Sequence, residues 1–257
     1  MARTTMARGV VLKTPAELQA MREAGRVVAR TLAIAQQAAR PGVSTLELDR
    51  LAEQAIREAG ALPSFKGYHG FPAALCTSIN DEIVHGIPSA RRILRAGDLL
   101  KIDCGAILDG WQGDAAVTVL VGEGSPAPRR LMEATREALQ RGIDVATVGG
   151  RVTDIGKAIE DYALSQGYEV VREYCGHGIG REMHEEPPVP NYGPAGQGPK
   201  LVPGLVLAIE PMLNAGTWRT TPQPDGWTVK TADGELSAHF EHTVAITEHG
   251  PQILTAP

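Results

Sequence analysis

Residues 99–121 read LLKIDCGAILDGWQGDAAVTVLV, two apolar runs on either side of the pair Asp109-Gly110. Runs rich in Val, Ile and Leu predict strands, and an Asp-Gly pair between two of them is a strong signal for a two-residue hairpin turn. With that turn, Asp114 becomes the diagonal neighbour of Asp103 on the same face of the hairpin. The stretch therefore predicts a hairpin whose two carboxylates are close enough to converge on a pair of cations.

Helix signals precede this hairpin and return about half a chain later. Capping residues and apolar periodicity predict helices over residues 15–40, 45–59, 126–148 and 153–167. A shift of 108 positions, which aligns Gly42 with Gly150, relates the first pair to the second. We therefore expect two related halves, roughly residues 14–123 and 124–257, of a single catalytic domain behind an N-terminal leader of residues 1–13. Chance agreement between two helix pairs is the alternative.

Strand candidates follow each pair of helices. They cover Ala74–Ile79, Leu99–Leu108, Trp111–Val121, Leu205–Met212 and Ser237–Thr247. Strands and helices in both halves predict an α+β fold in which the sheets meet at the centre and the helices lie outside. A site on the concave face of those sheets draws side chains from both halves.

The composition limits the kinds of partner. The 257 residues suffice for one large domain, and 43% hydrophobic against 4% aromatic residues predicts a core of Ala, Val, Leu and Ile. A net charge of −5 without basic clusters disfavours nucleic acid and anionic membrane as partners. Three cysteines without a C-x-x-C pair, no signal peptide and no membrane-length apolar run predict a soluble, cytoplasmic protein, with a monomer as the default state.

Five residues that lie far apart in the sequence suit a metal site. They are Asp103, Asp114, His177, Glu210 and Glu241. Four carboxylates gathered in a fold repel one another unless cations neutralise them, and this ligand set can bridge two divalent ions. Such a centre activates water for attack on a carbonyl or phosphoryl group, so the set predicts a metal-dependent hydrolase.

Local context supports some of these candidates more than others. Glu210 lies in an otherwise apolar strand, where an unpaired carboxylate is costly. Glycines on both sides of His177 leave its imidazole uncovered, although a lone loop histidine is most often a surface residue. Strand alternation places Glu241 and His239 on one face and His242 on the other, which argues against a zinc site of the two histidines. Hairpins often carry aspartates, so the acidic pair alone leaves an ordinary structural role open.

Nine short segments occur in register from about residue 13 to the end of the chain. They are GYHGFP at 67–72, CTSIND at 76–81, VHGIP at 84–88, ID at 102–103 with GD at 113–114, GHGIG at 176–180, HEEP at 184–187, IEPM at 209–212, DGWTVK at 225–230 and FEHT at 240–243. Together they resemble the type I methionine aminopeptidases. That resemblance implies the pita-bread fold, with two pseudo-symmetric α/β halves around a curved antiparallel sheet. It also implies removal of the initiator methionine from nascent proteins whose second residue is small.

The resemblance implies a role for each candidate ligand. Asp103 and Asp114 would hold two divalent ions, Glu241 would bridge them from the other side, and His177 and Glu210 would complete the shell of the first ion. A metal-bridging hydroxide would attack the scissile carbonyl, with Glu210 as the base. The ions are Co, Mn, Fe, Zn or Ni, because all of these tolerate the ligand set and cellular availability decides among them.

Two further histidines and an apolar pocket complete the implied site. His184 would hydrogen-bond the developing oxyanion or the substrate carbonyl, and His85 the nitrogen of the scissile bond. Taken alone, the context of His85 favours a half-buried structural histidine with a satisfied hydrogen bond. The pocket for methionine would consist of Tyr68, Phe71, Cys76, Met183 and Trp227, next to the two histidines. A narrow apolar slot with sulfur–aromatic contacts suits a thioether. Several relatives carry Tyr at position 71 and Phe at position 183, a difference that affects pocket shape rather than the reaction.

The resemblance also bears on ions, partners and alternatives. Asn80, Glu82 and Ser237 match positions that hold a monovalent cation in some relatives. The role implies transient association with the ribosome, for which the sequence has no visible determinant. Two other functions stay open: a pita-bread peptidase that cuts Xaa-Pro bonds, and a non-catalytic platform for peptide or RNA, which usually lacks the metal ligands.

Overall fold

The computed structural model describes residues 9–256. Within that range the chain forms four α-helices and fifteen strands, consistent with the predicted α+β class. No helix of the described residues combines the length and the apolar character that crossing a bilayer requires.

The helices begin close to the predicted capping residues. They are α1 (Pro15–Ala38), α2 (Thr45–Glu58), α3 (Pro126–Asp144) and α4 (Val152–Ser165). Thr14 and Ser44 form capping boxes at the starts of α1 and α2, because each hydroxyl accepts the N–H of a glutamate three residues later. Helix α3 ends four residues before the predicted Val148, since the N–H groups of residues 146 and 147 bond in tight turns instead of continuing the helix.

The strands are short except for those of the central hairpin. In chain order they are β1 (Leu62–Pro63), β2 (Leu75–Ile79), β3 (Glu82–Val84), β4 (Leu99–Leu108), β5 (Trp111–Leu120), β6 (Glu169–Val170), β7 (Gly176–Gly178), β8 (Glu185–Val189), β9 (Val206–Ile209), β10 (Met212–Asn214), β11 (Thr220–Pro222), β12 (Val229–Thr231), β13 (Ser237–His239), β14 (Glu241–Thr247) and β15 (Gly250–Ile253).

Nine strands form one antiparallel sheet that runs through both halves. Its order is β1-β4-β5-β14-β9-β7-β8, with β2 also paired to β4 and β15 to β14. Strand β14 joins the halves, because Glu241 and His242 pair with β5 while the residues from His242 to Ala245 pair with β9. Two three-stranded sheets, β13-β10-β6 and β11-β12-β3, lie beside it.

The helices cover one face of the central sheet. Ile102 and Cys104 of β4 belong to the same apolar cluster as Leu48 of α2. In the other half, Ile209 of β9 belongs to a cluster with Ile155 of α4. Because neighbouring residues of a strand point to opposite faces, the residues between these apolar positions face away from the helices.

The central hairpin has the predicted turn and register. Asp109 and Gly110 have φ values of 51° and 75°, the two positive values that a type I′ turn requires. Asp103 lies opposite Ala116, two residues beyond Asp114. The predicted diagonal relation between the two aspartates is confirmed.

The two halves repeat with a shift of 107 residues rather than 108. Helices α2 and α4 each have 14 residues, and they begin at Thr45 and Val152, which are 107 positions apart. Their buried positions keep this shift: Thr45, Leu48, Asp49, Ala52 and Ile56 in α2, and Val152, Ile155, Gly156, Ile159 and Ala163 in α4. The alignment of Gly42 with Gly150 is therefore wrong by one residue, because the equivalent positive-φ glycine before α4 is Gly149.

Two predicted strands are interrupted. The strand predicted over 205–212 divides into β9 and β10 at Glu210-Pro211, and the strand predicted over 237–247 divides into β13 and β14 at Phe240. Proline has no N–H to donate to a neighbouring strand, so it ends the ladder of β9. At each break the chain passes between the central sheet and the sheet β13-β10-β6: it leaves the central sheet after β9 and returns to it at β14.

Residues 9–13 pack against the fold. The side chain of Val10 is 3% exposed and belongs to the core beside α3 and α4. The N–H of Lys13 donates to the carbonyl of Gly204 at 2.7 Å, and its ammonium lies 2.7 Å from a carboxylate oxygen of Glu185. The leader of residues 1–13 stays a prediction, and residues 1–8 lie outside the described residues.

Candidate active site

A cavity of about 300 Å³ opens on the face of the sheet that the helices leave free. Its wall contains every residue predicted for the metal site, the catalytic pair and the methionine pocket. These are Asp103, Asp114, His177, Glu210, Glu241, His85, His184, Tyr68, Phe71, Cys76, Met183 and Trp227, and they are joined by Phe65 and His69. Both halves of the chain contribute, as expected for a site on the concave face.

A row of residues across four strands explains how the first acidic groups meet. Cys76 on β2 lies opposite Asp103 on β4, which lies opposite Ala116 on β5. Ala116 in turn lies opposite Glu241 on β14. Directly opposite residues share a face of the sheet, so the small Ala116 leaves room between two inward carboxylates. Asp114 joins the same face from two residues earlier on β5.

Strands β7 and β9 bring ligands from the second half. His177 on β7 pairs with Ala208 on β9, and Glu210 follows two residues after Ala208. Nε2 of His177 lies 3.6 Å from Oε1 of Glu210 and 3.9 Å from Oδ2 of Asp114. Donor atoms of Asp114, His177 and Glu241 all lie within 4.8 Å of one another. Predicted ligands from both halves are thus within reach of a common ion, while Asp103 lines the same cavity.

Burial raises the pKa values of all four carboxyl groups, and repulsion between carboxylates adds to the shift in three of them. Burial raises the pKa of Asp103 to about 7. Burial also raises the pKa values of Asp114, Glu210 and Glu241 well above their usual range, and the neighbouring carboxylates add to each shift. Removing water from ionised groups is costly unless an opposite charge compensates, so the cluster favours either protons or cations.

The residues present fit a divalent metal centre. Oδ1 of Asp103, Oδ1 of Asp114 and Oε1 of Glu241 are buried and make no hydrogen bond within the described part of the chain. Buried polar atoms nearly always have a partner, so three such oxygens in one cavity are suitable donors for a cation. Carboxylate oxygens with one imidazole are a ligand set that divalent first-row metals accept.

The ring of His177 is oriented as a metal ligand would be. Its Nδ1 lies 2.9 Å from the carbonyl oxygen of Gly178, which can only accept, so Nδ1 carries the proton and the lone pair of Nε2 faces the cavity. Burial lowers the pKa of His177 to about 4, which keeps the ring neutral. A Cβ at Gly176 or Gly178 would lie 2.2 Å from a backbone oxygen of a neighbouring strand, so only glycine allows this close approach.

His184 lies at the mouth of the cavity, beside His177. The centroids of the two rings are 4.3 Å apart. Nδ1 of His184 lies 2.7 Å from the hydroxyl oxygen of Tyr68, a contact that holds the imidazole in one orientation. Loss of water around the ring lowers the pKa of His184, and His69 adds to that shift. The sequence had not singled out His69, although it lies within the quoted GYHGFP segment.

His85 occupies a strained position that its neighbours determine. Its φ is 61°, in the left-handed region, and its ring packs edge-on against Tyr174 and Trp227 with centroids 5.8 and 6.4 Å away. A Cβ at the next residue, Gly86, would lie 2.2 Å from the carbonyl oxygen of Thr77. Burial lowers the pKa of His85 to about 4, so the ring is neutral at the cavity wall.

An apolar compartment adjoins the acidic one. Its walls are Phe65, Tyr68, Phe71, Cys76, Met183 and Trp227. The rings of Phe71 and Trp227 meet edge to face with centroids 5.1 Å apart. A Cβ at Gly105 would lie 2.8 Å from the ring of Phe65 and 3.0 Å from Cε of Met183, so a glycine on the inner face of β4 lets these side chains close the compartment. Phe65 lies outside every segment quoted from the sequence, which is why it was missed.

His239 is a further residue of the centre. Its Nε2 lies 3.9 Å from Oε2 of Glu210, and neither ring nitrogen has a hydrogen-bond partner among the described residues. His239 ends β13 while Glu241 begins β14, so the strand break, not simple alternation, places both near the cluster. The other histidine of the rejected zinc pair, His242, has its Nδ1 2.8 Å from the hydroxyl oxygen of Thr255.

The residues do not fit the monovalent cation expected near Asn80, Glu82 and Ser237. The ammonium of Lys101 donates to the carbonyl oxygens of Asn80 and Ser237, at 2.8 and 2.9 Å. The carboxylate of Glu82 forms an ion pair with Arg92. The sequence does not predict this role for Lys101, because the sequence of one strand does not show which distant carbonyl groups its side chain reaches.

Comparison with known proteins gives consistent findings. A family model described as metallopeptidase family M24 matches residues 19–248. The methionine aminopeptidase of Clostridium acetobutylicum is 54% identical over 96% of this chain and 98% of its own. Methionine aminopeptidase 1 of Mycobacterium tuberculosis is 54% identical over 99% of this chain and 98% of its own. The crystal structure of methionine aminopeptidase from Thermotoga maritima has a TM-score of 0.95 at 42% identity, over 96% of this chain and all of that one, which confirms the predicted fold.

Proposed function

Because the chain belongs to metallopeptidase family M24, we propose that its cavity is the active site of a methionyl aminopeptidase. The reaction removes the N-terminal methionine of nascent proteins when the second residue is small. One observation carries this proposal: an acidic compartment suited to divalent ions and an apolar compartment suited to a thioether share a single cavity. The relatives named above carry the same activity in their names.

We assign the acidic compartment to two divalent ions. The residues that would hold them are Asp103, Asp114, His177, Glu210 and Glu241. When bound, such ions lower the pKa of water and polarise a carbonyl group. The three orphaned carboxylate oxygens and the free Nε2 of His177 support this assignment.

The remaining polar groups are assigned by their place on the cavity wall. Glu210 accepts a proton from the attacking water at its carboxylate, which lies beside His177. His184, held by Tyr68, donates to the substrate carbonyl oxygen as negative charge develops there. His85 contacts the nitrogen of the scissile bond from the opposite wall.

The shape and charge of the cavity support an exopeptidase with a narrow preference. The free α-amine of the substrate would lie near the second metal ion, which explains an aminopeptidase rather than an endopeptidase. Phe71, Met183 and Trp227 bound a slot for an unbranched thioether. Crowding beside the metal ligands restricts the residue after methionine to small side chains.

The proposed substrate indicates where in the cell the enzyme acts and with which partners. Nascent polypeptides carry the initiator methionine, so we place the enzyme in the cytoplasm in transient association with the ribosome. We propose that it acts as a monomer. No nucleic-acid or membrane partner is required.

Chelation followed by restoration of single metals tests the proposal. Release of methionine from Met-Ala-Ser should stop in the chelated protein and return with at least one of Co, Mn, Fe, Zn or Ni. The same preparation should leave an Xaa-Pro dipeptide largely intact. Preferred cleavage of the Xaa-Pro dipeptide would replace this proposal by the pita-bread rival, and peptide binding without hydrolysis under every metal would replace it by a binding platform.

A further inference from the structure

Lys101 is a fully buried lysine whose side chain ends among backbone carbonyl groups. It lies on the inner face of β4, two residues before Asp103, and is 1% exposed. Its Nζ donates to the carbonyl oxygen of Asn80 at 2.8 Å, to that of Ser237 at 2.9 Å and to that of Leu99 at 3.4 Å. This group lies outside the cavity wall and takes no part in the reaction described above.

The arrangement is that of a protonated amine. An ammonium has three hydrogens and no lone pair, and three carbonyl oxygens surround Nζ. A neutral amine would turn its lone pair toward one of those oxygens.

Hydrogen bonds around Asn80 fix the position of the carbonyl oxygens that contact Lys101. Asn80 has a φ of 56°, and its side-chain oxygen accepts the N–H of Leu99 at 2.9 Å. Its side-chain nitrogen donates to Asp98 at 2.9 Å. The carbonyl of Asn80 also accepts the N–H of Ser237 at 3.1 Å, so the two segments are joined directly as well as through Lys101.

We propose that the ammonium of Lys101 is a tethered replacement for the monovalent cation that the family resemblance implies. It contacts Asn80 and Ser237, the two residues around which that ion is expected. A covalently held charge cannot diffuse away, so the protein has no need of potassium or sodium to join these segments. Ser237 begins β13, which ends at His239, and Glu241 begins β14 two residues later. By holding Ser237 in place, the Lys101 ammonium therefore helps to position the ligand Glu241.

Ion replacement in the unaltered protein is the first test. The metal-loaded enzyme is measured at neutral pH and constant ionic strength in potassium, sodium or choline chloride, and both Tm and kcat/KM on Met-Ala-Ser are recorded. We expect the same values in all three salts. A rise of either quantity that is specific to potassium or sodium would overturn the proposal.

A shortened side chain is the second test. In K101S the carbonyl groups lose their ammonium, so in choline the Tm should fall by on the order of 10 °C. Potassium or sodium should recover a large part of that loss, because the hydroxyl leaves room for an ion between the oxygens of Asn80 and Ser237. K157S, at an exposed site on α4, is the matched control and should show neither the loss nor the recovery.

The outcomes of the second test are distinct. A K101S protein as stable in choline as the parent would show that the charge is dispensable, and loss without recovery by either ion would show that no cation site lies beneath the lysine. Crystals of K101S soaked in rubidium should show anomalous scattering between Asn80 and Ser237. If K101S fails to fold, the ion-replacement test on the unaltered protein decides the matter alone.

Discussion

At the scale of single residues, the hydroxyl of Tyr68 has a role beyond lining the pocket. It lies 2.7 Å from Nδ1 of His184, while the aromatic ring forms part of the apolar wall. Y68F keeps the ring and removes the hydrogen bond, so kcat/KM on Met-Ala-Ser should fall roughly fivefold, the worth of one such bond.

The pH dependence of kcat/KM distinguishes a Tyr68 hydroxyl that positions His184 from a Tyr68 ring that only packs in the pocket. The pH profile of kcat/KM should change in Y68F, because the tautomer and orientation of His184 are no longer held. Y162F, on α4 and away from the cavity, is the control and should match the parent. An unaltered rate and pH profile in Y68F would show that the hydroxyl does nothing for His184.

Loss of the imidazole itself should be more severe. H184A should bind divalent metal as the parent does but turn over Met-Ala-Ser about a hundredfold more slowly, as expected when a donor to a developing oxyanion is removed. Metal content is measured on the same preparation, and the exposed His249 provides the control H249A. A fully active H184A would contradict the assigned role.

Single residues were predictable where a short segment marks them. The turn of one hairpin predicts that Asp103 and Asp114 lie close together. The glycines on both sides of His177 mark it as a candidate, and the structure shows that neighbouring strands leave no room for a Cβ at either glycine. Lys101 and His239 were not predictable in the same way. Their roles depend on which backbone oxygens or carboxylates from distant segments surround them, and one strand sequence carries no such information.

At the scale of elements, close contact between α1 and the end of the chain sets the position of that helix. A Cβ at Gly25 would lie 2.2 Å from the carbonyl oxygen of Leu254. In an exposed helix, replacing glycine with alanine would stabilise the protein by about 1 kcal/mol. Here the overlap with a backbone atom outweighs that gain, so G25A should lower the free energy of unfolding by about 2 kcal/mol.

Urea denaturation of the metal-loaded protein measures the free energy of unfolding of G25A and of the parent. A33G at an exposed position of the same helix is the reverse control, and it should cost about 1 kcal/mol through propensity alone. An increase in stability on G25A would mean that α1 shifts freely against the C-terminal segment.

Element prediction failed where long-range contacts override local signals. Thr153 resembles an N-cap in sequence, but its hydroxyl accepts the N–H of Gln197 at 2.8 Å, and the helix begins one residue earlier. That displacement accounts for the one-residue error in relating the halves. Likewise, an apolar run alone predicts one strand through Glu210-Pro211, whereas the chain changes sheets there.

At the scale of the whole molecule, stability depends on what neutralises the acidic cluster. In the metal-free protein the four carboxyl groups have pKa values raised above those of the unfolded chain, for Asp103 to about 7. The folded state then binds more protons than the unfolded state, so this contribution is present at low pH and is lost as pH rises through the folded values.

Metal binding should therefore stabilise the protein more strongly as the pH rises. The difference in Tm between metal-loaded and chelated protein should increase from pH 6 to pH 8, because protons compete less with the ions. Comparing the two forms at each pH removes contributions from groups outside the centre. A difference independent of pH would indicate that these carboxyl groups do not hold the ions. The D144N variant, at the exposed end of α3, should behave like the parent.

The overall architecture was more predictable than the strand pairings that join its two halves. Helix caps, the hairpin turn and nine segments in register led to two halves around a central sheet, and the fold agrees. The row from Cys76 through Asp103 and Ala116 to Glu241 was not predictable, because it depends on β14 pairing with a strand more than a hundred residues earlier. Pairing between such distant segments has no local sequence signal.

The position of β14 also bears on synthesis. This strand is the only link found within residues 9–256 between β5 and β9, and it carries the last of the five ligands along the chain. A polypeptide that has emerged as far as Glu210, just after β9, has four of the ligands but lacks the strand that joins the two halves of the sheet. The ligand set is complete only once Glu241 has been synthesised, so a growing chain of this enzyme gains its centre late in its own translation.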